Sequence, residues 1–170
     1  MFEALIALAL AAAAAGAATT GVLFQPGEWY RSLAKPSWTP PNVLFPIAWT
    51  LLYAMMVIAA FRVATGLASG ALPAGSELHA VAGLCLWGTQ LVLNAMWSPI
   101  FFGARNGRAG LICIGALWLA VLGTLIAFAG ADPVAAALFA PYLVWASYAG
   151  ALNAAILRLN PPEAFRAPGG

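Results

Sequence analysis

Five long apolar runs dominate this chain. They cover residues 2–24, 42–65, 78–103, 109–129 and 133–159. The runs are continuous rather than alternating, which excludes the strands of a membrane β-barrel. Each run is long enough to cross about 30 Å of hydrocarbon at about 1.5 Å per residue. The pattern predicts an all-α membrane protein, with one five-helix transmembrane domain spanning residues 1–170. Composition agrees: 7% of the residues are charged, against about 25% in a soluble domain. The first run ends in small residues, as a signal peptide would. It begins with Glu3 in place of a basic segment, so it is read as a retained helix.

The charges between the runs predict an orientation. Glu3, Arg62, Glu77 and Asp132 fall on one side of the membrane. Arg31, Lys35, Arg105, Arg108, Arg158 and Arg166 fall on the other, six of the seven basic residues. Basic residues collect on the cytoplasmic side. The N-terminus is therefore expected outside and the C-terminus in the cytoplasm.

Small residues recur every fourth position at Ala12, Gly16 and Thr20, and again at Ala146, Gly150 and Ala154. Such spacing lets helices approach closely in lipid, and packing within the bundle is the expected use. Thr39 is placed to cap the second helix, with Pro40 as its first residue. Pro46, Pro99 and Pro141 lie inside runs. Each is expected to remove a backbone hydrogen bond and bend its helix.

Several chemistries are missing. No run carries Asp, Glu or Lys at its centre, where ion pumps and proton-coupled carriers usually need one. The only lysine, Lys35, is in a loop, so no retinal Schiff base is available. His79 is the only histidine and lies near a helix end. Cys85 and Cys113 fall inside runs and read as small apolar residues. No metal-ligand spacing, Ser/His/Asp set or phosphate loop is present. Nothing in the composition calls for nucleic acid, and no cofactor is required.

The third run carries a polar stripe. Trp87, Gln90, Asn94 and Trp97 share one helical face. An amide facing lipid costs several kcal/mol, so Gln90 and Asn94 are expected to point into the bundle. They serve there as interhelical hydrogen bonds, as ligand contacts, or as both.

The first loop is the other distinctive segment. It reads Trp29-Tyr30-Arg31-Ser32-Leu33-Ala34-Lys35-Pro36-Ser37-Trp38-Thr39-Pro40-Pro41. It holds three large rings and two cations on a backbone stiffened by proline. The second run starts on the same side, so Trp49 lies about 10 Å deep and Tyr53 about 16 Å deep. Trp97 and Asn94 reach a similar depth from the third run, and Trp145 lies near the middle of the fifth. Interfacial tryptophans are ordinary anchors. That explanation suits Trp29, but not Trp49 or Trp145.

These motifs resemble the TspO/MBR family of tryptophan-rich sensory proteins and translocator proteins. The resemblance rests on the loop above, on Trp49 and Tyr53, on Asn94-Ala95-Met96-Trp97-Ser98-Pro99-Ile100-Phe101-Phe102-Gly103, and on Pro141-Tyr142-Leu143-Val144-Trp145-Ala146 with Leu152-Asn153. It covers nearly the whole chain. It implies a five-helix bundle, usually a homodimer, here in a bacterial inner membrane. It also implies binding of porphyrins such as protoporphyrin IX or haem, for transport, sensing or sequestration. Matched by position, the site would comprise Trp38, Trp49, Tyr53, Asn94 and Trp145, with Trp29 nearby. Trp97 belongs to the same motif. Arg31 and Lys35 would face the propionates. An alternative implied by the family is light-dependent porphyrin degradation, with Trp29 and Trp145 as participants. A regulatory role through the dimer surface is a third. The sterol pattern Leu/Val-x₁₋₅-Tyr-x₁₋₅-Lys/Arg is not met in either direction.

Overall fold

The computed structural model describes residues 1–165. Arg166, counted above among the basic residues of one face, lies outside them. The described chain is helical, with no strand. Helix α1 covers Phe2–Leu23 and α2 is the short Glu28–Ser32. The longer helices follow: α3 is Leu44–Ser69, α4 is Glu77–Ser98, α5 is Gly107–Ala131 and α6 is Pro133–Leu159. A π-helical turn, Pro99–Gly103, prolongs α4, and a 3₁₀ turn, Pro162–Phe165, follows α6. Five of these helices are long and apolar enough to cross a membrane. The protein is an integral membrane protein.

The long helices form a closed ring in the order α1, α3, α6, α5, α4. Lipid is as apolar as leucine, so close packing rather than water exclusion holds such a ring. Glycine makes one of these approaches possible. A Cβ on Gly83 of α4 would lie 2.6 Å from the Phe128 ring of α5. Phe128, Phe139 and Tyr142 stack edge to face behind it, fully buried between α5 and α6.

The two small-residue stripes behave differently. Gly150 of α6 faces Ile114 of α5, 3.8 Å from where its Cβ would be. Ala12 and Gly16 are exposed, and α1 turns Ala14 and Ala17 inward instead. The expectation of bundle packing therefore fails for α1. Leu10 and Ala17 meet the core, which leaves the Ala12–Gly16 side facing out.

Two expectations about proline and capping are also corrected. The second spanning helix starts at Leu44, and no side chain caps it. The Thr39 hydroxyl donates to the Pro36 carbonyl at 2.8 Å, which makes a local turn. Pro46 then falls in the first helical turn, where an amide has no intrahelical partner to lose. Pro99 does break the regular pattern. Helix α4 passes into the π turn there, closed by the Ala104 amide on the Pro99 carbonyl at 2.8 Å. Pro141 stays inside α6.

At the far end Asp132 does two jobs. Its Oδ1 accepts the Val134 and Ala135 amides at 2.9 and 3.2 Å and caps α6. Its Oδ2 accepts from Arg62 Nε at 2.9 Å, which joins α3 to α6. Partial burial opposes ionisation of Asp132. The Arg62 guanidinium and the two amides outweigh it and hold the carboxyl below its ordinary pKa.

Candidate functional site

Two aromatic stripes face each other across the α3–α6 seam. Phe45, Trp49 and Tyr53 recur every fourth residue on α3, which puts them on one face. Tyr142, Trp145 and Tyr148 recur every third residue on α6. The helices run antiparallel, so the stripes meet in reverse order. Phe45 stands edge-on to Trp145 at 5.9 Å between ring centres. Trp49 meets Trp145 at 6.4 Å and Tyr142 at 6.1 Å, both edge to face. Trp49 also lies 5.5 Å from Tyr53. These are the offset and edge arrangements that ring quadrupoles favour.

Asn94 of α4 closes the inner end. Its Oδ1 accepts the Tyr53 hydroxyl at 2.7 Å and its Nδ2 donates to the Tyr142 hydroxyl at 2.8 Å. One carboxamide thus joins three helices. Gln90, one turn away, is fully buried, and neither polar atom of its side chain has a partner among the described residues. Trp87 turns away from the stripes and donates to the Met56 carbonyl at 3.1 Å.

The first loop closes the other end. Trp38 packs edge-on against Tyr148 at 5.5 Å, and the Tyr148 hydroxyl donates to the Trp38 carbonyl at 2.7 Å. Tyr148 lies 6.0 Å from Trp145, which continues the run of rings inward. On its outer side the same seam forms an apolar groove of about 460 Å³. Leu52, Trp145 and Tyr148 line it between the helices, with Pro40 of the first loop. Pockets that bind drug-sized ligands measure about 300–1,000 Å³.

Trp38, Trp49, Tyr53, Asn94 and Trp145 are therefore in one connected set. Trp97 stands beside it, stacked on Phe101 at 5.0 Å, with no hydrogen-bond partner for its buried indole nitrogen among the described residues. Trp29 belongs to a second cluster with Tyr30, Leu33, Phe101 and Phe165, and its indole donates to the Ala164 carbonyl at 2.6 Å. Arg31 is exposed. Lys35 lies 4.7 Å above the Tyr30 ring and donates to the Arg31 and Leu33 carbonyls. Burial lowers the pKa of Lys35, and burial first, then Tyr148, raises that of Tyr30. Sequence reasoning did not place Phe45, Tyr142 and Tyr148 in the site. The regular spacing of the two stripes was the signal for them.

The fold and the site together describe an aromatic-lined five-helix membrane bundle. The chain belongs to the TspO/MBR family, whose profile matches residues 5–159. It is 47% identical to Protein CrtK of Rhodobacter capsulatus over 91% of each chain. It is 42% identical to the tryptophan-rich sensory protein of Cereibacter sphaeroides, over 92% of this chain and 94% of that one. The human translocator protein is 36% identical, over 82% of this chain and 81% of its own.

Proposed function

We propose that this protein is a receptor or carrier for porphyrins, of the protoporphyrin IX or haem type, for transport, sensing or sequestration. The observation that carries the reading is the continuous run Trp38–Tyr148–Trp145–Trp49–Tyr53, beside an apolar groove of about 460 Å³. A porphyrin is a broad, flat π-system. Several rings at varied tilts give it stacking and edge contacts, each worth about 0.5–1.5 kcal/mol beyond burial. Arg31 at the exposed rim supplies a cation for a propionate. Lys35 can do so only by leaving the Tyr30 ring and its two carbonyls. The reading includes a bacterial inner membrane, the N-terminus outside and the loop face in the cytoplasm, with the basic residues of that face as support. It also includes a homodimer, for which the outward side of α1 leaves small residues free.

The test is a titration of the protein in lipid nanodiscs with protoporphyrin IX, read by tryptophan fluorescence. Saturable quenching is expected, and it should weaken when Trp49 and Trp145 are both replaced by Leu. Quenching that rises without saturation, equally in the double variant, would show partition into lipid and overturn the reading.

A further inference from the structure

We propose that Asn160 is a positioning residue that latches the first loop over the aromatic site and so controls how fast a ligand leaves. The proposal rests on the porphyrin-binding reading above. Among the described residues, four hydrogen bonds tie the loop between α1 and α3 to other parts of the bundle. All four end on α6 or on the segment just beyond it. Two of the four are made by Asn160.

The Asn160 geometry is specific. The residue sits just past the end of α6 in extended backbone. Its Oδ1 accepts the Ala34 amide at 2.9 Å, and its Nδ2 donates to the Ala34 carbonyl at 2.8 Å. The carboxamide therefore pairs with one residue of the loop as a neighbouring strand would. The second Nδ2 hydrogen goes to the Ile156 carbonyl at 2.8 Å, which holds the side chain against the helix end. Aspartate lacks the donor, alanine lacks both groups, and glutamine carries them one methylene further out.

Position gives the pairing its consequence. Upstream of Ala34, Tyr30 and Leu33 are buried in the second cluster, and Trp29 is fixed to Ala164. Downstream, Trp38 covers Tyr148 and Pro40 lines the groove. Ala34 is the joint between the anchored half and the covering half. With Asn160 released, the covering half keeps only the Tyr148–Trp38 hydrogen bond to α6. The loop thus moves with α6, the helix that also carries Trp145 and Tyr142.

Two measurements in nanodiscs test this. The first is hydrogen exchange at the Ala34 amide without ligand, in wild type, Asn160→Ala and the neighbouring control Leu159→Ala. The second is the dissociation rate of protoporphyrin IX from the same proteins. Asn160→Ala should speed both by about thirtyfold, the effect expected of two lost hydrogen bonds of ordinary net strength, and Leu159→Ala should speed neither. If Asn160→Ala does not fold, Asn160→Asp keeps the acceptor but sets an anionic oxygen against the Ala34 and Ile156 carbonyls at a helix C-terminus, and a rise in both rates at least as large is expected. Unchanged Ala34 exchange would overturn the latch. Faster exchange with unchanged dissociation would overturn its control of the ligand. If wild type shows no saturable uptake of protoporphyrin IX, the porphyrin reading fails and ligand control fails with it, while Ala34 exchange still decides the latch.

Discussion

Tyr53 donates its hydroxyl to Asn94 Oδ1 at 2.7 Å, across the contact between α3 and α4. Because Tyr142 occupies Nδ2 as well, this amide is a structural rivet as well as a wall of the site. Asn94→Leu strands two tyrosine hydroxyls in apolar surroundings, at about 1–3 kcal/mol each. Tyr53→Phe leaves one group unmet, Asn94 Oδ1, at about 1–3 kcal/mol. Thermal unfolding should therefore place Asn94→Leu clearly below Tyr53→Phe. Midpoints of both variants equal to that of wild type would show that the three-residue chain contributes no stability.

Gln90 gives the opposite expectation. It is fully buried with both polar atoms unmet by other described residues. Methionine keeps nearly the same shape and removes the polar atoms. Gln90→Met should leave stability unchanged or raise it by up to about 1–3 kcal/mol. A clear fall in the unfolding midpoint would show that the amide has a partner of its own, such as a bound water.

The five spans were legible because length and apolarity decide them, and neither depends on tertiary contacts. The α6 limits, Pro133–Leu159, follow directly from the run 133–159. The Trp49, Tyr53, Asn94 and Trp145 grouping was also legible, since depth along antiparallel helices can be counted. The loop was not. Its shape depends on Ala34 meeting Asn160 and on Trp29 meeting Ala164, partners more than 100 residues away. The same long-range contacts hold α2, which propensity alone does not announce. Thr39 looked like a helix cap, but it turned back on Pro36 because the intervening prolines delay the helix to Leu44.

Asp132 should make stability depend on pH. Its pKa is lowered in the folded protein. The stabilisation is thus present above the unfolded value of about 3.9 and is lost as pH falls through the folded one. Arg62 is 43% exposed, so solvent screens the ion pair, which contributes at most about 1 kcal/mol. Asp132→Asn keeps the capping acceptor and loses the ion pair and the negative charge at the start of α6. Asp132→Ala also loses the cap, a further cost of about 0.5–2 kcal/mol. Unfolding midpoints near neutral pH should fall in the order wild type, Asn, Ala. The gap between wild type and Asn should close in acid; a gap that persists there would show that the charge is not its source.

Membrane sidedness has a direct test. Ser69 at the end of α3 and Asn106 at the start of α5 are both exposed, and they lie at opposite ends of the bundle. A single cysteine at either position, in a background without Cys85 and Cys113, reports its side through an impermeant thiol reagent. Asn106→Cys should be protected in intact cells and Ser69→Cys labelled. The reverse pattern would invert the orientation, and labelling of both would remove the five-span topology.

The rings themselves give the sharpest comparison. Trp49 and Trp145 face each other across the seam at 6.4 Å, and Trp145 also lines the outer groove. Trp118 is on α5, where its indole donates to the Ser147 hydroxyl at 2.7 Å, away from both stripes. Leucine at any of these positions keeps apolar bulk and removes the aromatic face. Trp49→Leu and Trp145→Leu should each weaken protoporphyrin IX binding by about 0.5–1.5 kcal/mol, a 2- to 12-fold rise in dissociation constant. Trp118→Leu should lose its hydrogen bond and some stability but leave affinity nearly untouched. Titration of all three beside their unfolding midpoints separates the two effects. If the three affinities fall together and follow the midpoints, the facing stripes are packing alone and the ligand binds elsewhere.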